Sequence, residues 1–124
     1  MKKSLLLLLT VVSLITFSCS KDASINRRLN GEWSVLTIGN VPMETGESFT
    51  FNFVKEDRLS GTGIYTYSYF GDSESLPFTY TVGSEKMILT IDGDTEVFSV
   101  LKYEKDRMEL MDSYGDLWVL NPIK

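Results

Sequence analysis

The chain has 124 residues, 43% of them apolar and 12% aromatic, with a formal net charge of −5. It contains no His and a single Cys, which excludes a His-based acid/base pair, a Cys/His nucleophile pair and zinc sites built on imidazole or thiolate; no cofactor, metal or enzymatic activity is expected. Its acidic balance with scattered basic residues lacks the footprint of a nucleic-acid binder, and its apolar content argues against disorder and for one modest core.

The N-terminus carries Lys2-Lys3, an apolar run over 5–17 and small Ser18 before Cys19. This is the layout of a signal peptide. Read as a transmembrane span, the 15 residues of 4–18 fall short of the roughly 20 that a bilayer core requires of a helix. The segment Ile15-Thr16-Phe17-Ser18-Cys19 resembles the lipobox of bacterial lipoproteins, whose Cys becomes the lipidated N-terminus. The resemblance implies a leader over 1–18, lipid attachment at Cys19, a tether with a short helix over 19–28 and an outer-membrane location for a domain over 29–124. Two or three acyl chains would hold such a domain on a bilayer. Ser20-Lys21-Asp22 resembles the Lys-plus-acid signal that sends some Gram-negative lipoproteins to the cell surface; a periplasm-facing position is the alternative. Ordinary secretion without the lipid and a retained helix are the competing readings of the leader. Without Lys2 and Lys3 the chain has ten basic against seventeen acidic residues, a net charge of −7, so membrane association is expected through lipid and not through a polybasic patch.

A short helix is predicted over 23–30, and everything after it reads as strand. Period-2 alternation is clearest over 48–54, where Phe49, Phe51 and Phe53 share one face and Ser48, Thr50 and Asn52 the other. Further strands are predicted over 33–38, 63–70 (Tyr65, Tyr67 and Tyr69 in register), 77–82, 87–91, 95–103, 107–111 and 117–120, which makes eight. Turn chemistry joins them, as at Gly39-Asn40, Glu56-Asp57, Gly71-Asp72, Gly83-Ser84 and Asp92-Gly93-Asp94. Spacings this short leave no room for crossover helices, so neighbouring strands pair antiparallel. The expected fold is all-β, an antiparallel eight-stranded up-and-down barrel, because closure removes exposed edges; a half barrel or a sandwich is the alternative.

Leu29-Asn30-Gly31-Glu32-Trp33 places Gly-x-Trp at the head of the first strand. With Phe49-Thr50-Phe51-Asn52-Phe53 and the Gly-rich strand from Gly61, it resembles the opening of small lipocalin-like domains. The resemblance covers residues from Leu29 to the C-terminus. It implies that Trp33 plugs the closed bottom of the barrel beneath a basic residue, Lys124 or Arg107.

The candidate interior holds Trp33, Phe49, Phe51, Phe53, Phe78, Tyr80, Phe98 and Trp118. Either these residues are plain core, or they form a cup for a small hydrophobic ligand; the candidate ligand residues are Phe49, Phe51, Phe53, Tyr65, Tyr67, Phe78, Tyr80 and Trp118. Asp92-Gly93-Asp94-Thr95-Glu96 has acids at alternate positions, but position six of such a loop is Val97 where an EF-hand needs Gly. It reads as a hairpin turn with solvated acids. Nothing fixes Glu47, Asp72 and Glu74 as a carboxylate pair for glycoside chemistry. Two functions follow: a lipid-anchored lipocalin-like protein that binds a hydrophobic ligand, or a filled barrel acting as a protein-interaction module, such as a surface adaptor or a protease-inhibitor-like domain. The second puts Leu36 and Ile38 on an exposed face opposite Trp33.

Overall fold

A computed structural model describes residues 21–123; the expected leader and the lipid-attachment site at Cys19 lie outside the described residues. Helix α1 covers 21–29. Nine strands follow: β1 (Gly31–Ile38), β2 (Val41–Pro42), β3 (Glu47–Asp57), β4 (Ser60–Tyr69), β5 (Asp72–Gly83), β6 (Lys86–Ile91), β7 (Asp94–Tyr103), β8 (Met108–Met111) and β9 (Leu117–Pro122). Every pairing is antiparallel between neighbours in sequence, except that β1 bridges to β3 past the two-residue β2 and also pairs with β9. The β1–β9 ladder closes the sheet into an eight-stranded up-and-down barrel to which β2 is a spur. A lipocalin-like fold has this architecture. Among the described residues no helix is long and apolar enough to cross a membrane.

Alternation decides what faces inward. Phe51 and Phe53 of β3, Phe78, Tyr80 and Val82 of β5, Met87 and Leu89 of β6, and Phe98 and Val100 of β7 are buried, while the residues between them face solvent. In β4 the inward positions nearest the closed end are Gly61 and Gly63, where a Cβ would overlap the rings of Tyr80 and Phe78 and the carbonyl oxygens of Val54 and Asn52. These two glycines leave the space that the two rings occupy.

The register shifts at three places; one lies at the β3–β4 turn, between Lys55 and Asp57, and the other two break the period within strands. A bulge between Val35 and Thr37 of β1 makes Leu36 the extra residue; it stays exposed, and Ile38 turns inward against the core. The expectation that Leu36 and Ile38 share an outer face is therefore corrected, because an inserted residue inverts the parity of everything after it. A second bulge between Val100 and Lys102 exposes Leu101 and packs Tyr103 against the core.

Helix α1 sits across one end. Its Ile25, Asn26 and Leu29 are fully buried, so it belongs to the barrel rather than to a tether. Asp22 accepts hydrogen bonds from the backbone N–H groups of Ser84 (3.1 Å) and Glu85 (2.9 Å), clamping a β5–β6 turn whose two residues have positive φ, 53° and 59°. Neither is Gly, so this left-handed turn carries a conformational cost that the Asp22 bonds offset. The sequence places that turn one residue earlier, at Gly83-Ser84, where glycine would be the natural choice.

Candidate functional site

The barrel has two unlike ends. At the closed end, Asn26 donates from Nδ2 to the carbonyls of Asp57 (2.9 Å), Arg58 (3.1 Å) and Ser60 (3.3 Å), and accepts at Oδ1 from the Tyr80 hydroxyl (2.6 Å). Burial pushes the Tyr80 phenol up to about 12, with the Glu56 charge adding to the effect. Trp33 is buried beside α1 and donates from Nε1 to the Leu29 carbonyl at 2.9 Å, a helix-terminal acceptor that would otherwise have no partner. Arg107 pairs with Glu109 at 2.7 Å, the cleft that Trp33 lines holds Arg27, Arg28 and Lys105, and Lys124 lies outside the described residues.

At the other end the interior is open. A cavity of about 430 Å³ is lined by Phe49, Phe51, Tyr65, Leu76, Leu89, Ile91, Phe98 and Trp118, with Asp92, Asp94, Glu96, Asp112 and Tyr114 towards the rim. Phe49 stacks on Tyr65 with ring centroids 5.2 Å apart, and Trp118 meets Phe49 and Phe98 edge-on, both at 5.5 Å. Edge-on and offset contacts of this kind fix ring orientations, so the aromatic wall is preformed.

Of the residues singled out in the sequence, Phe49, Phe51, Tyr65 and Trp118 converge on this cavity. Phe53, Phe78 and Tyr80 do not line it; they meet one another edge-on or tilted below, at centroid distances of 5.4 to 6.3 Å. Tyr67 stands at the rim, where its hydroxyl donates to Glu47 Oε2 at 2.6 Å. That bond, with a second from the Glu44 backbone, holds the Glu47 carboxyl below its usual range and raises the Tyr67 phenol. Glu47 is thereby occupied, and among the described residues no cluster of three acids could hold a metal.

Sequence reading took Asp92, Asp94 and Glu96 as solvated acids of a turn and passed over Asp112, whereas all four line the cavity. Asp92 and Gly93 do form a hairpin turn, with φ of 52° and 85°, but Asp94 and Glu96 share parity with inward Phe98 and Val100, a signal present in the alternation itself. Asp112 is fixed in place: Trp118 Nε1 donates to its Oδ2 at 3.0 Å, and the N–H groups of Asp116 (2.9 Å) and Tyr114 (3.0 Å) donate to its Oδ1. Burial pushes the carboxyl up, but the Trp118 indole and the turn amides together outweigh it and hold the group below its ordinary range.

No protein-family model matches this chain, and no curated protein matches it.

Proposed function

We propose that the protein is a lipid-anchored lipoprotein of the outer membrane, held through Cys19, whose lipocalin-like barrel binds a small hydrophobic ligand in its mouth and catalyses no reaction. The observation that carries the ligand reading is the asymmetry of the interior. Protein cores pack close to crystalline density; here one half does so under α1, while the other keeps an open aromatic space of about 430 Å³, within the usual range of small-molecule sites. The preformed ring contacts around Phe49 and Trp118 support binding with little reorganisation.

The test is native mass spectrometry of the full chain purified gently from membranes, before and after organic extraction. Extra mass lost on extraction, together with a diacylglyceryl increment on the peptide beginning at Cys19, is the expected result. A clean apo mass that persists with fatty-acid, sterol and haem-like probes would overturn the ligand reading in favour of the protein-interaction module.

A further inference from the structure

The chemistry of the mouth narrows what it can hold. This step rests on the reading of the mouth as the binding site. The cavity is defined by its aromatic wall, and four carboxylates, those of Asp92, Asp94, Glu96 and Asp112, stand among its lining residues with no Lys or Arg. Among the described residues the ion pairs join Lys21 to Glu85, Lys102 to Glu104 and Arg107 to Glu109, none of them at the mouth. All nine described Lys and Arg side chains belong to the closed half, so among the described residues no cation offsets the negative potential over the opening.

An anionic amphiphile such as a fatty acid would bring its carboxylate to these four like charges, whereas a cation on an apolar body would bring its charge to them and its apolar part to the rings of Phe49, Tyr65 and Trp118. Aromatic faces attract ammonium groups through their quadrupoles, and low-dielectric walls focus the field of the rim charges into the opening. We infer that the mouth selects an organic cation: an amine or quaternary ammonium group held at the acidic rim, with its apolar body in the aromatic cup.

The experiment compares three probes with the same eight-carbon tail, octyltrimethylammonium, octanol and octanoate, titrated into the full chain and read by tryptophan fluorescence. Trp118 lies in the cavity and Trp33 under the closed end, so the Trp33→Phe variant isolates the responding indole. The cation should bind at least about tenfold more tightly than octanol, octanoate should be weakest, and the preference should shrink as salt screens the rim. Replacing both inward acids, Asp94→Asn with Glu96→Gln, should lower the cation-to-octanol ratio at least about fivefold, with an unchanged melting curve showing that the barrel is intact. Octanol or octanoate binding as tightly as the cation would overturn the inference and leave the hydrophobic-ligand reading standing. Failure of all three to bind would overturn both.

Discussion

Asn26 is a buried amide that supplies four hydrogen bonds from one position in α1, and its removal is expected to be costly because the partners have nowhere else to go. The Asn26→Ala substitution would strand the Tyr80 hydroxyl and the carbonyls of Asp57, Arg58 and Ser60; with about 1 to 3 kcal/mol for leaving a buried group unsatisfied, a loss of about 3 kcal/mol in denaturant unfolding is expected. Asn26→Asp keeps an acceptor for Tyr80 but sets an oxygen against the carbonyls of Asp57, Arg58 and Ser60, and should be at least as destabilising as alanine. Tyr80 itself gives a pH signature. Its folded-state value is raised from 10.0 to about 12, so its contribution to stability is complete below pH 10 and is lost as pH rises from 10 to 12. Tyr80→Phe should therefore lower stability at neutral pH and flatten the alkaline limb of the melting-temperature profile between those values; a parallel displacement of the whole profile would show that the phenol does not titrate differently in the two states. Asp112 works in the opposite sense. Its lowered value gives stability that is present above about pH 4 and lost as pH falls through the folded-state value, so the difference between wild type and Asp112→Asn should close in acid. Gly63 was legible in the sequence only as part of a Gly-rich strand. Its reason is spatial, since a Cβ there would meet the Phe78 ring and the Asn52 carbonyl, and no property of β4 alone reports the size of a side chain on β5.

Helix α1 and the strands differ in how they were readable. The strands were legible almost throughout because one face is buried and the other wet, which writes a period of two into Phe49-Thr50-Phe51-Asn52-Phe53 and its counterparts in β5 to β7. The failures occur at the bulges, where Leu36 and Leu101 add one residue and alternation predicts the wrong face for Ile38. Such an insertion is set by how β1 must bend to reach both β3 and β9, a long-range requirement. The helix was legible as an element but not as a plug, because its apolar positions are few: Ile25 and Leu29 are four apart, one turn on a single face. Those two side chains are both fully buried, and Ile25→Ala should cost about 2 to 5 kcal/mol by creating a cavity under the barrel. Because α1 closes the end opposite the mouth, the same substitution should leave ligand affinity at the mouth unchanged in a sample still folded at the assay temperature. A drop in affinity matching the drop in stability would show that plug and mouth are one cooperative unit.

The whole molecule is electrically divided in a way that a net charge of −5 conceals. Lys21, Arg27 and Arg28 lie on α1, Lys55 and Arg58 at the β3–β4 turn, Lys86 at the β5–β6 turn, and Lys102, Lys105 and Arg107 at the β7–β8 turn, all at the closed end. The open half holds nine acids and no base among the described residues. Repulsion from anionic surfaces, expected from the overall charge, therefore applies to the mouth and not to the base of the barrel, where Arg27, Arg28 and Lys105 border a cleft of about 310 Å³. Cys19 precedes Lys21 by two residues, a reach of about 7 Å at full extension. If Cys19 carries lipid as proposed, that short link favours the closed end against the bilayer, where nine bases and eight acids leave the surface near neutral, and the acidic mouth facing away from an anionic leaflet. Strands of ten residues tilted in a barrel then set the mouth roughly 25 Å above the surface. Single spin labels on Asp106→Cys at the β7–β8 turn and on Ser73→Cys beside the β4–β5 turn, in the lipidated protein on vesicles containing phosphatidylglycerol, measure this directly. The label at 106 should be relaxed by a paramagnetic headgroup lipid and the label at 73 should not. Equal relaxation of both would mean that the barrel lies on its side, and the opposite pattern would place the mouth at the membrane, where a ligand would enter from lipid instead of from water.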